Sequence, residues 1–398
     1  MKVIVHRGTH QIGGCVTEIQ SDKGTKIIVD IGENLPSMDG VEKEKLDIEG
    51  LNKGVAKYDA VFVTHYHGDH IGLYNEVLPE IPIYVGEISK KIYKILQNRL
   101  LKAKIVSNDD VIKANSFKTF RIPEKIQIKD ILITPIGVDH SAFDAYMFLI
   151  ECDGKKILHT GDFRTHGQRG KAVIPAIEKY VGKVDCLICE GTTLSREKEK
   201  FITEFDIQNK AEKIFKENKY SFVLCSSTNI DRIAGIHKAT LKAHRLFVCD
   251  DYQKEILMYI DTISKSGLYK FQNKVYSYAE NLLQIMKEKG FVMLVRANWL
   301  SKEVMKKFQD NVFIYSQWDG YLDENFKEYE HLQKFVPKNH IYLHTSGHAD
   351  YDTLKHICQL VEPKTLIPIH SENPSAFENM NLQNCQIQIS SDGNEIII

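Results

Sequence analysis

Three imidazoles and a carboxylate fall within six consecutive residues, His65-Tyr66-His67-Gly68-Asp69-His70. Imidazole and carboxylate are the ligands zinc takes outside thiolate sites. The motif follows the apolar run Ala60-Val61-Phe62-Val63-Thr64, which reads as a strand buried on both faces, so its side chains emerge at a strand end. His65 and His67 are two apart; on an extended backbone they point the same way and can share one ion. Gly68 is expected to turn the chain sharply, leaving Asp69 and His70 to reach a second ion. A lone His is usually a structural residue. Three with an Asp at this spacing point instead to a metal centre.

Further candidates stand at the ends of other apolar runs. Ile131–Val138 leads to Asp139-His140-Ser141, Ile157–Thr160 to Gly161-Asp162-Phe163-Arg164, and Leu366–Ile369 to His370. Taken singly, His140 or His370 reads as a satisfied structural His. Their common strand-end placement, where α/β folds carry their sites, makes them ligand candidates. His159 is assigned to a strand body. Cys186 and Cys189 have the C-x-x-C spacing, but on a strand they face opposite sides and cannot chelate one ion, so they read as buried structural thiols. Trp318 and Tyr321 read as aromatic packing rather than a base-stacking platform.

The elements that must position these residues change character along the chain. The first third reads as short strands and tight turns, with a hairpin around Ser21-Asp22-Lys23-Gly24 and a helix over Glu87–Lys102. Strands follow at Ile131–Ile136, Tyr146–Glu151, Lys156–Thr160 and Cys186–Glu190. After about residue 200, helices (Ile207–Asn218, Asp231–Ala243, Gln253–Ser264, Glu280–Lys289, Asp323–Phe335) alternate with short apolar runs, which predicts βαβ units and a parallel sheet. Ile341–Leu343, a helix at Tyr351–Val361 and Thr365–Ile369 close the pattern. The reading is one α/β domain (1–200), interrupted by an inserted α/β domain (201–340) and completed by 341–398.

The motifs resemble those of the metallo-β-lactamase-fold hydrolases and, within them, the β-CASP nucleases of the RNase J type. Those that carry the resemblance are Gln11-Ile12-Gly13-Gly14-Cys15, Val29-Asp30-Ile31-Gly32, His65–His70, Val138-Asp139-His140-Ser141 and His159-Thr160-Gly161-Asp162-Phe163-Arg164. They continue through Glu190-Gly191-Thr192-Thr193, Ser226–Arg232, His344-Thr345-Ser346-Gly347-His348-Ala349 and Pro368-Ile369-His370-Ser371-Glu372. The resemblance implies an αββα sandwich with an inserted β-CASP α/β domain, and two Zn2+ per chain, with Mn2+ and Mg2+ as substitutes to test. His65, His67 and His140 are then expected on one ion, Asp69, His70 and His370 on the other, and Asp162 between them. Glu190 becomes the acidic residue that steers a ligand, and Asp30 an outer partner that pins the metal loop. His348 is the functional His near the scissile phosphate; with Glu190 and Asp69 it makes up the expected catalytic set. Ser227, Thr228, Asn229, His344, Thr345, Ser346, Gly347 and His348 are expected to bind the substrate phosphate. Proteins of the RNase J type also carry a further C-terminal domain that contributes to dimerisation, which bears on homo-oligomer formation; this chain ends at Ile398.

The implied chemistry is RNA phosphodiester hydrolysis, exo- or endonucleolytic, on single-stranded and 5′-monophosphorylated RNA. Two zinc ions about 3.5–4 Å apart bring a shared water to a near-neutral pKa and absorb charge developing at phosphorus. The leaving 3′-oxygen needs a proton, and His348 is the expected general acid. The alternative keeps the fold and metals but acts on a small ester, lactone or thioester. The insert between Glu190 and His344 argues for a polymer, because it can form a cap.

Composition is compatible with this and excludes other classes. The 398 residues are 43% apolar and 26% charged, as in folded globular proteins. No run approaches the ~20 apolar residues of a membrane span, and the apolar run at Met1–Val5 is too short for a secretory signal. Eight scattered Cys read as reduced thiols in a cytoplasmic protein. The formal charge of −1 is not that of a protein that wraps duplex DNA by charge alone. The net +3 over Phe201–His340, against −4 elsewhere, reads as a solvated helical surface.

Overall fold

The computed structural model describes residues 1–36, 45–196 and 201–398. The chain divides into two units. One comprises Met1–Leu35, Lys43–Lys200 and Gly347–Ile398; the other comprises Pro36–Glu42 and Phe201–Ser346. The second runs through Ser346, past the boundary at 340 read from the sequence.

The first unit is built on two seven-stranded sheets. In the first the order is Glu395–Ile397, Lys2–Arg7, Val16–Gln20, Lys26–Val29, Ala60–Phe62, Ile83–Gly86, Lys118–Phe120. In the second it is Gln386–Ile387, Thr365–Ile369, Cys186–Glu190, Lys155–His159, Ala145–Cys152, Ile131–Val138, Ile126–Ile128. Val3, Val5, Ile27, Val29 and Phe62 of the first sheet form one core with Ile133, Phe148, Ile150, Ile188 and Ile367 of the second. Alternate residues of each strand thus face the partner sheet, and each fully buried side chain contributes about 1.5–3 kcal/mol. Helices Val173–Tyr180 and Tyr351–Val361 cover the other face of the second sheet through Val173, Ile177, Leu354 and Ile357. The result is an αββα sandwich, and the strand at Thr365–Ile369 pairs in parallel with Cys186–Glu190, although the whole insert separates them in sequence.

The second unit has one six-stranded parallel sheet, ordered Val275–Ser277, Leu246–Cys249, Phe291–Val295, Tyr220–Leu224, Val312–Tyr315, Ile341–Tyr342. Its helices begin where capping chemistry dictates. Thr203 and Asp206 form a reciprocal capping box, so the helix runs Glu204–Glu217, three residues earlier than its apolar period indicates. The helix expected over Asp323–Phe335 is absent. The segment holds one 3-10 turn, Lys327–Tyr329, and one α-turn, Glu330–Gln333. Asp323 accepts from the Asn325 backbone N–H at 2.9 Å, and the Gln333 amide donates to the Asp323 carbonyl at 2.6 Å, so side chains take the bonds a helix would need. A helix not anticipated, Trp299–Lys306, starts at Asn298, whose side chain accepts from Ser301 N at 2.9 Å.

Candidate metal centre

Every expected ligand follows a strand end of the first unit. Ala60–Phe62 leads into Thr64-His65. Gly68 opens a one-turn helix, Gly68–Ile71, rather than a sharp turn, and that helix carries Asp69 and His70. Ile131–Val138 leads to His140, Lys155–His159 to Asp162 and Thr365–Ile369 to His370. Two residues at these ends adopt left-handed backbone, Asp30 at φ +63° and His370 at φ +52°. The metal loop is held by close backbone approach. Ile31 N donates to His70 O at 2.8 Å and Glu33 N to Gly68 O at 3.0 Å. At Gly32 a Cβ would lie 1.8 Å from the Asp69 carbonyl, so that position admits no side chain.

Seven donor atoms converge. His67 Nδ1 lies 3.1 Å from His65 Nε2 and 3.2 Å from His140 Nε2. The Asp162 Oδ2 atom is 3.8 Å from both of those Nε2 atoms. On its other side it lies 3.1 Å from His70 Nε2 and 3.8 Å from His370 Nε2. Asp69 Oδ2 completes this second set, 3.2 Å from His370 Nε2 and 3.8 Å from His70 Nε2. Ligands about 2.0–2.1 Å from a tetrahedral ion stand about 3.3 Å from each other, the spacing seen here. His70 Nε2 and Asp162 Oδ1 are buried without a hydrogen-bond partner, which is costly unless a cation takes the lone pairs. The donor set therefore fits divalent cations.

The outward nitrogens are committed, which fixes the tautomers. His70 Nδ1 donates to Asp30 Oδ2 at 2.8 Å. The Thr64 hydroxyl donates to the same oxygen at 2.9 Å and accepts from His65 Nδ1 at 3.0 Å. One buried carboxylate thus orients an imidazole of each set. His140 Nδ1 donates to Gly347 O at 2.6 Å. His370 Nδ1 donates to the Thr192 hydroxyl at 2.7 Å, which donates to Glu190 Oε2 at 2.7 Å. In each of these four His, Nε2 is left as the free donor, and His67 alone presents Nδ1. Glu190 also accepts from Phe163 N at 3.0 Å and from His348 Nδ1 at 2.9 Å, so it braces His370, the Asp162 loop and His348 together.

Charge divides the two sets. Burial, then the neighbouring imidazoles, hold His65 well below the usual histidine range, and burial does the same for His140 and lowers His67 to about 4. Burial also opposes charge on His70 and His370, but Asp162 and Asp69, with Asp30 beside His70, outweigh it and raise both. Burial opposes ionisation of Asp162 as well, but His370, His70 and His348 hold its carboxyl well below the ordinary range. Protons on the second set stand where a cation's charge would be.

Residues 36–224 match the beta-lactamase superfamily domain, and residues 335–378 match the Zn-dependent metallo-hydrolase RNA specificity domain. Among curated proteins the chain is 25% identical over 405 residues to Ribonuclease J of Mycoplasma genitalium, covering 93% of this chain and 68% of that protein. It is 22% identical over 455 residues to Ribonuclease J of Helicobacter pylori, covering 100% of this chain and 60% of that protein. The chain is similar to the metallo-β-lactamase-fold β-CASP proteins of the RNase J type. It is a metal-dependent hydrolase. A solved structure of a protein of unknown function from Enterococcus faecalis V583 has a similar fold, with a TM-score of 0.77 at 22% identity over 100% of this chain and 99% of that one.

Other expected residues stand in a strand body or within the inserted unit. His159 stays in its strand, accepting from Gly161 N at 3.1 Å. In the inserted unit Asn229 caps the helix Ile230–Lys242, accepting from Arg232 N at 3.2 Å. Ser227 accepts from the Gln253 amide at 3.2 Å, and the Thr228 hydroxyl pairs with that of Ser226 at 3.1 Å. The Thr345 hydroxyl donates to Ile202 O at 2.5 Å. Arg232, fully buried, forms a two-point pair with Glu204 and reaches Thr345 O at 3.2 Å and His344 Nδ1 at 3.4 Å. Ser346 is buried. Trp318 and Tyr321 pack edge-to-face at 5.2 Å, within a cluster that includes Phe326 and Tyr329.

Two residues at the centre were given no role from sequence. Cys15 offers a sulfur within 4.8 Å of ligand atoms of His70 and His370. Arg164, fully buried, pairs with Asp139 at 3.0 Å and ties the His140 loop to the Asp162 loop. Each belongs to a quoted motif, but spacing alone does not report which buried neighbour reaches it.

Proposed function

We propose that this chain hydrolyses RNA phosphodiester bonds at a pair of zinc ions. His65, His67 and His140 hold one, Asp69, His70 and His370 hold the other, and Asp162 bridges them. The observation that carries the reading is the single oxygen, Asp162 Oδ2, flanked by the Nε2 atoms of His65, His70, His140 and His370 at 3.1–3.8 Å. RNA as the substrate is supported by the RNA specificity domain matched at 335–378 and by the Ribonuclease J relatives. When bound, two cations supply a water of lowered pKa and take up charge developing in an in-line displacement at phosphorus. The protein's part is to hold the donors and the proton source. His348, whose Nδ1 donates to Glu190 Oε2 at 2.9 Å, gives the proton to the leaving 3′-oxygen. Ser227, Thr228 and Asn229, with His344 through Gly347, supply polar groups for a phosphate, and Glu190 and Asp69 complete the catalytic set.

The test is metal content by mass spectrometry, then a time course on end-labelled RNA bearing 5′-monophosphate, 5′-triphosphate or 5′-hydroxyl, beside single-stranded DNA and a chromogenic lactam. Two zinc ions per chain and RNA cleavage are expected. Stepwise mononucleotide release from the monophosphate form marks a 5′-exonuclease; internal fragments mark an endonuclease. Lactam turnover with RNA left intact, or a protein that stays metal-free in zinc-replete buffer, overturns the reading. His348→Ala is expected to lower turnover by about 10²–10⁴-fold with zinc content unchanged; near-normal turnover removes His348 as the acid.

A further inference from the structure

The second cation position has a donor beyond the set just described. Cys15, His70 and His370 each offer one ligand atom, and the three atoms lie within 4.8 Å of one another. All three residues are buried, at 1% exposure each. The nitrogens that His70 and His370 turn away from the centre are already bonded, to Asp30 and Thr192, so the atoms left to them are Nε2. His70 Nε2 is buried without a hydrogen-bond partner. Cys15 is fixed by the loop that carries Asp69 and His70: its N–H donates to Asp69 O at 3.1 Å, and its carbonyl accepts from Gly32 N at 3.0 Å.

We infer that Cys15 is a sulfur ligand of the cation held by Asp69, His70, His370 and Asp162. The inference rests on the two-cation reading and deepens it. The thiol gives its proton to solvent as the S–metal bond forms, so charge and atoms balance. The cation then has five protein donors, a number zinc reaches. A soft sulfur favours zinc or cadmium over manganese or magnesium, so the second position becomes the thiophilic one of the pair.

The experiment loads metal-free protein with Co2+ and compares the wild type with Cys15→Ser. The expected result is two Co2+ per chain in the wild type with a thiolate-to-cobalt charge-transfer band in the near ultraviolet. In Cys15→Ser the band is lost while the ligand-field bands persist, and retention of zinc against manganese falls by about tenfold. Two bound Co2+ without the charge-transfer band would overturn the sulfur ligand and leave the nuclease reading standing. No bound Co2+ at all would overturn both. Should the variant fail to fold, cadmium-113 NMR of the wild type decides the matter. One resonance in the thiolate range supports the inference, and both resonances in the nitrogen–oxygen range overturn it.

Discussion

Asp30 holds both halves of the metal centre through one side chain. Its Oδ2 accepts from His70 Nδ1 directly and from His65 by way of the Thr64 hydroxyl, while Oδ1 accepts from Thr64 N at 2.7 Å. Replacing it removes more than a packing contact, because the imidazole tautomers depend on it. In Asp30→Asn the amide oxygen can still serve Thr64 N, but the amide nitrogen then meets His70 Nδ1–H, donor against donor. His70 escapes by moving its proton to Nε2, the atom a metal needs. Asp30→Asn and Asp30→Ala are therefore both expected to weaken metal binding by about 10–100-fold, read by competition with a chromogenic chelator. An Asn variant that binds as tightly as the wild type would show that the carboxylate is not setting the tautomer. The motif around Asp30 was legible in sequence, but the Thr64 relay was not. A hydroxyl has no positional signature, and only the fold places it between two rings.

At the scale of elements, strand ends supply ligands and loops set their spacing. Asp139 and Arg164 are fully buried; the Asp139 carboxylate takes Arg164 Nε at 3.0 Å and Arg169 N at 2.8 Å, and Arg164 N donates to Asp139 O at 2.7 Å. These bonds stitch the loop bearing His140 to the loop bearing Asp162. Arg164→Met leaves a buried carboxylate without its cation, and a loss of about 3–5 kcal/mol in urea unfolding is expected. A loss under about 1 kcal/mol would mean that water or another residue replaces the guanidinium. On the first sheet, Glu18 joins neighbouring strands by accepting from Tyr58 at 2.7 Å, pairing with His6 at 2.8 Å and with Lys26 at 3.1 Å. Burial opposes its charge, but these bonds overcome it and bring its pKa down to about 2. A depressed folded-state pKa stabilises above the unfolded value near 4.5 and ceases to as pH falls toward about 2. Glu18→Gln is thus expected to be less stable than wild type at pH 7, with the difference closing between pH ~4.5 and about 2; a gap that stays constant through that interval refutes the linkage. The strands were legible because their apolar runs are uninterrupted, and Cys186–Glu190, Tyr351–Val361 and Thr365–Ile369 have the bounds their patterns indicate. Asp323–Phe335 misled because a helical apolar period survives in a segment whose Asp, Asn and Gln side chains bond the backbone instead.

At the scale of the whole molecule, all seven donors belong to the first unit, although His370 is separated from the others by the entire insert. Each unit has a core of its own. Val3, Phe62, Phe148 and Ile188 stand for the sandwich; Phe222, Met293, Phe313 and Tyr315 stand for the parallel sheet of the insert. Sequence periodicity separated these textures, since strands alternating with helices after residue 200 differ from the hairpins before it. It could not find the return of the chain to the first sheet system beyond pairing Thr365–Ile369 with a motif at its end. Separate cores and a centre confined to one of them make metal removal a local perturbation. Ligand that binds only the folded state stabilises by an amount that grows with the logarithm of its concentration over Kd, about 4 kcal/mol at a thousandfold excess. For a unit of this size that corresponds to a shift of about 8–16 °C in melting temperature. Calorimetry with and without chelator is therefore expected to resolve two transitions, of which the one belonging to the sandwich falls by that amount on chelation while the other stays in place. Limited proteolysis at intermediate temperature assigns them, because cleavage in chelator should enter the residues around the His65–His70 loop before it enters the insert. A single transition that moves as a whole would show that the two cores unfold as one cooperative system, and a pair of transitions indifferent to chelator would show that the donors hold no tightly bound cation.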